Sequence, residues 1–198
     1  MVCIGLDLGK TQDYTAIAVV VRQETTIRTV GRQAWQVWDE RRCAVAELRH
    51  LERLTLGTTF LEVVERVAQL VKHEALGPGR IRLVVDATGL GSPVLELLRK
   101  AKMGCDIKPV VITGGTGERY GGDGKCHVSK TDLMMGLRTS MELQDVVIAK
   151  GMAETPALVK ELALFGSSKH DDMVIALALA LWGVKTQTFG EKSNVRIV

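Results

Sequence analysis

The chain has 198 residues, of which 46% are hydrophobic and 25% charged, and its formal net charge is +3 at pH 7. This composition is that of a globular protein with one sizeable core, and it excludes an intrinsically disordered chain. The four cysteines lie far apart without metal-ligand spacing, which predicts reduced thiols inside a cell. The longest apolar segment, residues 173–184, is too short to cross a bilayer, so the sequence predicts a soluble protein with no membrane partner.

The first part of the chain predicts an antiparallel meander of three strands. Residues 2–8 and 15–21 are apolar runs of strand-forming residues, and the turn-like residues 9–13 between them indicate a hairpin. Residues 25–38 alternate apolar and polar side chains, which predicts a third antiparallel strand. The charged, arginine-rich residues 39–56 are expected to form a solvated connection.

Helix and strand signals alternate along the middle of the chain. Thr59 and Glu62 have the spacing of a capping box, and apolar residues at helical spacing follow them. Residues 81–86 and 107–113 predict two strands, and Ser92 has the position of an N-cap for a helix between them. A strand–helix–strand order of this kind indicates parallel strands.

The last third of the chain predicts a long loop followed by helices. Residues 113–128 include six glycines and are expected to form a flexible loop of the kind that often carries function. Helices are predicted to begin near Ser129, Thr155 and Ser168. The elements together predict a single α/β domain over residues 1–198. Its mixed sheet would combine an antiparallel three-strand meander with parallel strands that follow it, and helices would cover both faces.

Acidic residues occur at positions that could form a metal site. Asp7 and Asp86 each lie at the end of an apolar strand, before a glycine-containing turn, and Asp171 and Asp172 lie in the first turn of the last helix. A charge in a buried strand is costly unless it is paired or holds a metal. Carboxylate oxygens are the ligands of Mg²⁺ and Mn²⁺, and two such ions about 4 Å apart activate water for phosphodiester cleavage. The sequence therefore predicts a site with two ions, held by these acids.

Each acid also has a structural alternative. Asp7 and Asp86 could cap the turns that follow their strands. Asp171 could be the acidic arm of a capping box that begins at Ser168, and Asp172 could simply favour the positive end of the helix dipole. The occurrence of all these acids in this order of strands favours the metal site over any single alternative.

Three segments indicate a known family. They are Gly5-x-Asp7-x-Gly9-Lys10-Thr11-x-Asp13-Tyr14-Thr15-Ala16, Val84-Val85-Asp86-Ala87-Thr88-Gly89-Leu90-Gly91 and His170-Asp171-Asp172-Met173-Val174. The first resembles the opening of the nuclease domain of bacteriophage terminase large subunits, which are DNA-packaging motors with an RNase H-like nuclease. The second resembles the second acidic strand of that family, and the third resembles its closing helix. Val128-Ser129-Lys130 and Leu158-x-x-Glu161-Leu162 also resemble segments of that family, so the resemblance covers nearly the whole chain.

This resemblance implies an RNase H-like fold and an endonuclease that cuts concatemeric viral DNA into genome lengths, in the cytoplasm of an infected or lysogenic bacterial host. Asp7 would bridge two Mg²⁺ or Mn²⁺ ions, Asp86 would hold one of them, and Asp171 or Asp172 would complete the other. Asp172 is slightly favoured because Asp171 has the capping alternative. Asp13 and His170 would be secondary members of the site. The implied partners are double-stranded DNA, a terminase ATPase domain, a small terminase subunit and a portal protein.

The sequence departs from a complete terminase subunit because it has no GxxxxGK[ST] phosphate loop. Residues 5–11 come close, but they are one residue short between the glycines and carry Asp7 where backbone N–H groups should meet phosphate. No ATPase domain is therefore expected in residues 1–198, and the chain is predicted to be an excised nuclease domain or a gene product without the motor.

Basic residues near the predicted site are candidates for DNA binding. A pI near 8.7 permits a nucleic-acid partner without requiring one. Contacts to phosphates position a duplex without reading its sequence, which suits a cutter of low specificity. The alternative is that these charges only keep a glycine-rich loop solvated. The candidates are Lys10, Arg119, Lys125, His127 and Lys130.

Three other functions compete with a terminase-type nuclease. A structure-specific endonuclease of the Holliday-junction resolvase type shares the first aspartate and the late helix acids but tends to carry glutamate at the second site. An actin-like ATPase is a second alternative, because Asp7-Leu8-Gly9-x-Thr11 resembles the first phosphate-binding motif of those proteins. A second motif of this kind is absent from the sequence. The third is a catalytically idle domain that serves in DNA-packaging assembly.

Overall fold

The computed structural model describes residues 1–9, 13–29, 39–77, 79–89, 92–149, 151–166 and 170–185. Its strands are β1 (Val2–Asp7), β2 (Ala16–Thr29), β3 (Asp39–Arg53), β4 (Ile81–Asp86), β5 (Asp106–Thr113), β6 (Glu118–Tyr120), β7 (Cys126–Ser129) and β8 (Val146–Ile148). Its helices are α1 (Phe60–Val71), α2 (Ser92–Lys100), α3 (Lys130–Glu142), α4 (Thr155–Ala163) and α5 (Asp172–Lys185). None of the helices among these residues is long and apolar enough to span a membrane.

The strands form one mixed sheet in the order β6-β7-β5-β4-β1-β2-β3-β8. Strands β1, β2 and β3 are an antiparallel meander, while β4 pairs in parallel with β1 and β5, and β7 pairs in parallel with β5. At the two edges, β8 runs parallel to β3 and β6 runs antiparallel to β7. The predicted meander followed by parallel strands is therefore confirmed.

Helices cover both faces of the sheet. Successive residues of a strand point to opposite faces, so each strand contributes to two core layers. In β1, Ile4 and Leu6 belong to a core layer that includes residues of α1 and α2. Cys3 belongs to a second layer, which includes residues of α3, α4 and nearly all of α5. Helix α5 is apolar almost all round, with a buried face on every side, as expected for a helix enclosed between the sheet and other helices.

The third strand was predicted in the wrong place. Strand β2 continues through Thr29, residues 30–38 lie outside the described residues, and β3 is formed by Asp39–Arg53, where a solvated connection was expected. The register between β2 and β3 shifts between Val19 and Val20. This bulge changes the alternation within β3, so Leu48 and Leu51 both reach the same core layer although they are three residues apart. The strand therefore lacks the period of two that a sequence pattern would detect.

The glycine-rich segment is more ordered than its composition predicted. Within residues 113–128, strand β6 and the first residues of β7 pair as an antiparallel hairpin at the edge of the sheet. Ser129 caps α3 as predicted, by accepting the N–H of Asp132 at 2.9 Å. The carboxylate of Asp132 accepts the N–H of Gly117 at 2.6 Å, which connects the segment before β6 to α3. The expectation of one long loop was wrong here.

The other local signals agree well with the structure. Thr59 and Glu62 form both hydrogen bonds of the capping box at the start of α1. Strand β4 has the predicted bounds. Helix α5 begins at Asp172, and Ser168, which was predicted to open it, lies outside the described residues.

Candidate metal centre

Two adjacent parallel strands bring the first pair of predicted acids to one edge of the sheet. Strands β1 and β4 pair in parallel through Leu6 and Val85, and each strand ends at the next residue, Asp7 or Asp86. Because parallel neighbours end at the same edge of a sheet, these two carboxylates lie side by side. A ligand site at the carboxyl ends of parallel strands is the usual arrangement in open α/β sheets.

Helix α5 brings the second pair of acids to the same edge. It lies against β1 so closely that a Cβ atom on Gly5 would come 2.7 Å from the backbone nitrogen of Ala180 and closer still to the carbonyl oxygen of Ala176. Glycine at position 5 is therefore what permits this approach. Ala176 lies one turn beyond Asp172, so the N-terminus of α5 and its acids are held above the end of β1.

The acids line one cleft of about 390 Å³. All four residues of the predicted metal site take part in its walls, and so does Asp13, the predicted secondary member. The other polar side chains in the walls are those of Thr88 and Lys130. The acids concerned are Asp7, Asp13, Asp86, Asp171 and Asp172.

Burial and mutual repulsion dominate the electrostatics of the cleft. Burial raises the pKa of Asp7 well above its usual range, and the negative charges of Asp86, Asp172 and Asp171 raise it further. Among the residues that the structure describes, the ammonium group of Lys130 is the one charge that lowers it. The described lining of the cleft therefore carries more acids than cations, and a divalent cation would relieve their repulsion.

Asp172 is the most enclosed of the helix acids, with 7% of its surface exposed. Burial raises the pKa of its carboxyl, while the charges of Arg53 and His170 oppose the rise and that of Asp171 adds to it. Within the described part of the chain, no hydrogen-bond donor reaches its buried Oδ2 atom, and His170 Nδ1 lies 4.0 Å away. A buried carboxylate oxygen without a donor is costly, and a cation would satisfy it.

Asp86 and Asp171 also make contacts with their surroundings. Asp86 Oδ1 accepts the N–H of Thr88 at 2.8 Å, as in the turn-capping alternative considered from the sequence. Asp171 Oδ2 accepts from the ammonium of Lys130 at 2.7 Å. The contact with Lys130 involves one oxygen of the Asp171 carboxylate, so Asp171 retains an oxygen with ligand capacity.

The donor set fits Mg²⁺ or Mn²⁺, because these hard ions prefer carboxylate oxygens. Among the described residues, however, no three His, Cys, Asp or Glu side chains converge closely enough to form a ready-made ligand cage. The acids surround the cleft rather than meet at one point. Carboxylates of like charge repel each other, so acids that share a cleft spread around its walls.

Sequence reasoning gave no role to a group of residues behind the helix acids. Glu161 of α4 is buried and forms an ion pair with Arg53, the last residue of β3. The Arg53 guanidinium lies 5.1 Å from the centroid of the Tyr14 ring, and that ring meets His170 edge-on at 5.6 Å. An acid among the apolar residues of α4 was the available signal for Glu161. No role was predicted for Arg53 because residues 39–56 were expected to form a solvated connection and not a strand.

The predicted DNA-binding residues lie in two places. Lys130 lines the acidic cleft. Arg119 and His127, which face each other across the β6–β7 hairpin, line a separate groove of about 280 Å³, and Lys125 pairs with Asp123 at 3.4 Å. Lys10 lies outside the described residues. Trp182 is partly buried against the core and donates to Glu118 at 3.2 Å.

No protein-family model matches the sequence, and no curated protein matches it. Among solved structures, the chain is similar to the large terminase nuclease from the thermophilic phage G20c, solved with bound zinc. That match has a TM-score of 0.56 and 23% identity, and it covers 91% of this chain and 79% of the phage chain. This likeness confirms the predicted RNase H-like fold.

Two structures of RuvC from Thermus thermophilus also match. The first has a TM-score of 0.42 and 15% identity, covering 96% of this chain and 98% of that chain. The second, in complex with a Holliday junction substrate, has a TM-score of 0.43 and 14% identity, covering 96% of each chain.

Proposed function

We propose that this protein is a metal-dependent DNA endonuclease of the kind found in terminase large subunits. The observation that carries the proposal is the acidic cleft: Asp7 and Asp86 at the ends of adjacent parallel strands, with Asp171 and Asp172 above them on α5. The RNase H-like fold and the similarity to a phage terminase nuclease support it.

The four acids would hold two Mg²⁺ or Mn²⁺ ions. Asp7 is central, since it lies between Asp86 on the neighbouring strand and the acids of the helix, and all of them raise its pKa. Asp172 is the stronger candidate among the helix acids because its Oδ2 is buried and reached by no donor within the described residues. Ions bound there supply an activated water molecule and charge neutralisation for phosphodiester hydrolysis. Asp13 and His170 are proposed as secondary members around these ligands.

Lys130 is proposed to hold the DNA backbone at the cleft. Its side chain is 49% exposed, it lines the cleft, and its ammonium lies 2.7 Å from Asp171 Oδ2. A lysine so placed can bind a phosphate oxygen of double-stranded DNA while it also limits the repulsion between that phosphate and the acids. Arg119, Lys125 and His127 on the hairpin, together with Lys10, would contact phosphates further along the duplex.

In this proposal residues 1–198 form one nuclease domain that supplies the cutting step of viral genome packaging. Translocation would come from a terminase ATPase domain, and a small terminase subunit and a portal protein would complete the assembly in the cytoplasm of the bacterial host. The sequence has no phosphate loop, which agrees with the proposal that cutting and translocation belong to different domains.

The decisive experiment is the incubation of purified protein with supercoiled plasmid and Mn²⁺ or Mg²⁺. We expect nicking and linearisation that EDTA abolishes and that Asp7→Asn abolishes as well. The matched control is Asp145→Asn, which should cut at the wild-type rate because Asp145 lies just before the distant edge strand β8. Asp7→Asn removes a buried carboxylate that neighbouring acids repel, so this variant should be at least as stable as the wild type. A loss of cleavage would then not result from unfolding. Undiminished cleavage by Asp7→Asn would refute the assignment.

A comparison of Asp171→Asn with Asp172→Asn tests the division of roles on α5. We expect Asp172→Asn to require a much higher Mn²⁺ concentration for half-maximal nicking, because it removes the enclosed oxygen. Asp171→Asn should have the smaller effect, since Lys130 already engages its carboxylate. The reverse order would make Asp171 the principal ligand.

A further inference from the structure

Helix α5 has an unusual N-terminal cap. The N–H of Ile175 donates to the carbonyl of Asp171 at 2.9 Å, so Asp171 occupies the N-cap position. An aspartate there normally accepts the N–H groups two and three residues later with its own carboxylate. In this protein those two groups, on Met173 and Val174, donate to Oε2 of Glu161 at 3.1 and 3.3 Å.

Glu161 comes from another helix and is built into the core. It lies on α4 with 6% of its surface exposed. A buried carboxylate needs a compensating charge, and Arg53 at the end of β3 supplies it through the ion pair. Two N–H groups and the positive end of the helix dipole complete the environment of the carboxylate. The cap of α5 is thus provided by α4 and secured by β3.

With Glu161 bound to these N–H groups, the carboxylate of Asp171 does not cap the helix. Its Oδ2 atom meets Lys130 in the cleft instead. The acid that a local sequence pattern would assign to capping is thereby available beside Asp172.

We propose that Glu161, held by Arg53, is a positioning residue that caps α5 in place of Asp171 and so presents both helix acids to the cleft. The role of the two acids as metal ligands rests on the proposed function. The cap itself rests on the hydrogen bonds from Met173 and Val174 to Glu161. Arg53 also lies over the Tyr14 ring, beside His170, so the pair connects the turn after β1 to the start of α5.

The test uses Glu161→Gln, which keeps the side-chain size but removes the charge. Its matched control is Glu52→Gln, since Glu52 also pairs with an arginine, Arg66 of α1, but on the opposite face of the sheet. Three quantities are measured for each protein: hydrogen exchange of the Met173 and Val174 amides, Mn²⁺ affinity by calorimetry, and plasmid nicking against Mn²⁺ concentration.

We expect exchange of the two amides to be about tenfold faster in Glu161→Gln, the size of effect that loss of an N-cap produces. Mn²⁺ affinity should fall by about tenfold as the helix acids lose their fixed position, with much less change in the nicking rate at saturating Mn²⁺. Glu52→Gln should change none of these quantities. Arg53→Lys should retain more Mn²⁺ affinity than Arg53→Met, because it keeps the charge that holds Glu161.

Wild-type exchange and wild-type Mn²⁺ affinity in Glu161→Gln, with only a loss of stability like that of the control, would overturn the proposal. If the wild-type protein neither binds Mn²⁺ nor cuts DNA, the proposed function fails by itself. The exchange of Met173 and Val174 still decides the cap in that event: faster exchange in Glu161→Gln supports it, and unchanged exchange refutes it.

Discussion

Gly5 lies where β1 touches α5, and its replacement by alanine tests how closely the site depends on that contact. The new Cβ atom would lie 2.7 Å from the nitrogen of Ala180 and nearer still to the carbonyl oxygen of Ala176, whereas an ordinary contact begins at 3.4 Å. Helix and strand would have to separate by at least about 0.7 Å, a distance that follows from those two values.

The cost is expected at the upper end of the range for overpacked cores. The new Cβ atom would clash with backbone atoms, so the clash cannot be relieved by the rotation of a side chain. The helix that carries these atoms is buried on almost all sides and cannot easily move. We expect Gly5→Ala to lower the free energy of unfolding by about 3 kcal/mol, where overpacking typically costs about 1–3 kcal/mol. For a chain of this size that corresponds to a fall in Tm of about 6–12 °C. Mn²⁺ affinity should fall too, because α5 would carry Asp172 away from Asp7.

The assay is urea denaturation followed by circular dichroism, beside Gly136→Ala as the matched control. Gly136 lies within α3 and has open space around the position of a Cβ atom, so alanine there should be stabilising by up to about 1 kcal/mol. A free energy of unfolding for Gly5→Ala within about 0.5 kcal/mol of wild type would refute this account of the contact between β1 and α5.

Three further predictions concern residues away from the cleft. Burial alone would raise the pKa of Glu52, but hydrogen bonds and charges from His50 and Arg66 lower it to about 2. The resulting stabilisation, about 1–2 kcal/mol after screening by solvent, is therefore complete above about pH 5 and is lost as the pH falls towards 2. When the free energy of unfolding is measured against pH, it should fall less steeply over this range in Glu52→Gln than in the wild type. Thr59→Ala removes the cap of α1 and should cost about 1 kcal/mol in urea denaturation, with plasmid cleavage unchanged. Burial, followed by the nearby acid on β6, raises the pKa of the Cys126 thiol to about 12, so iodoacetamide at pH 8 should alkylate it only after denaturation.

Features that depend on neighbouring residues could be derived from the sequence alone. Thr59 and Glu62 predicted the start of α1 correctly because a capping box closes within four residues. Asp86 could be placed at the end of a strand since the apolar run of β4 stops there. That Asp86 lies beside Asp7 was decided by the sheet order, which pairs β4 in parallel with β1.

Strand β3 could not be derived in this way, because its stability comes from its partner. Its charged residues resemble a solvated segment, and the bulge opposite Val19 and Val20 breaks the alternation that would have revealed it. Pairing with the long strand β2 supplies the hydrogen bonds, and α5 covers the apolar residues. The end of that strand then delivers Arg53 to the site, which no local pattern indicated.

The sequence by itself determined which acids could meet, since Asp7 and Asp86 end their strands and Asp171 and Asp172 begin a helix. Only the tertiary structure decided which carboxylate caps that helix. Asp171 and Glu161 are alternative acceptors for the same two backbone N–H groups, and local geometry alone would favour Asp171. Packing of α4 against α5 places Glu161 on those groups, and the charge of Arg53 makes its burial affordable. The outcome depends on charges and contacts that come together only when distant parts of the chain have folded.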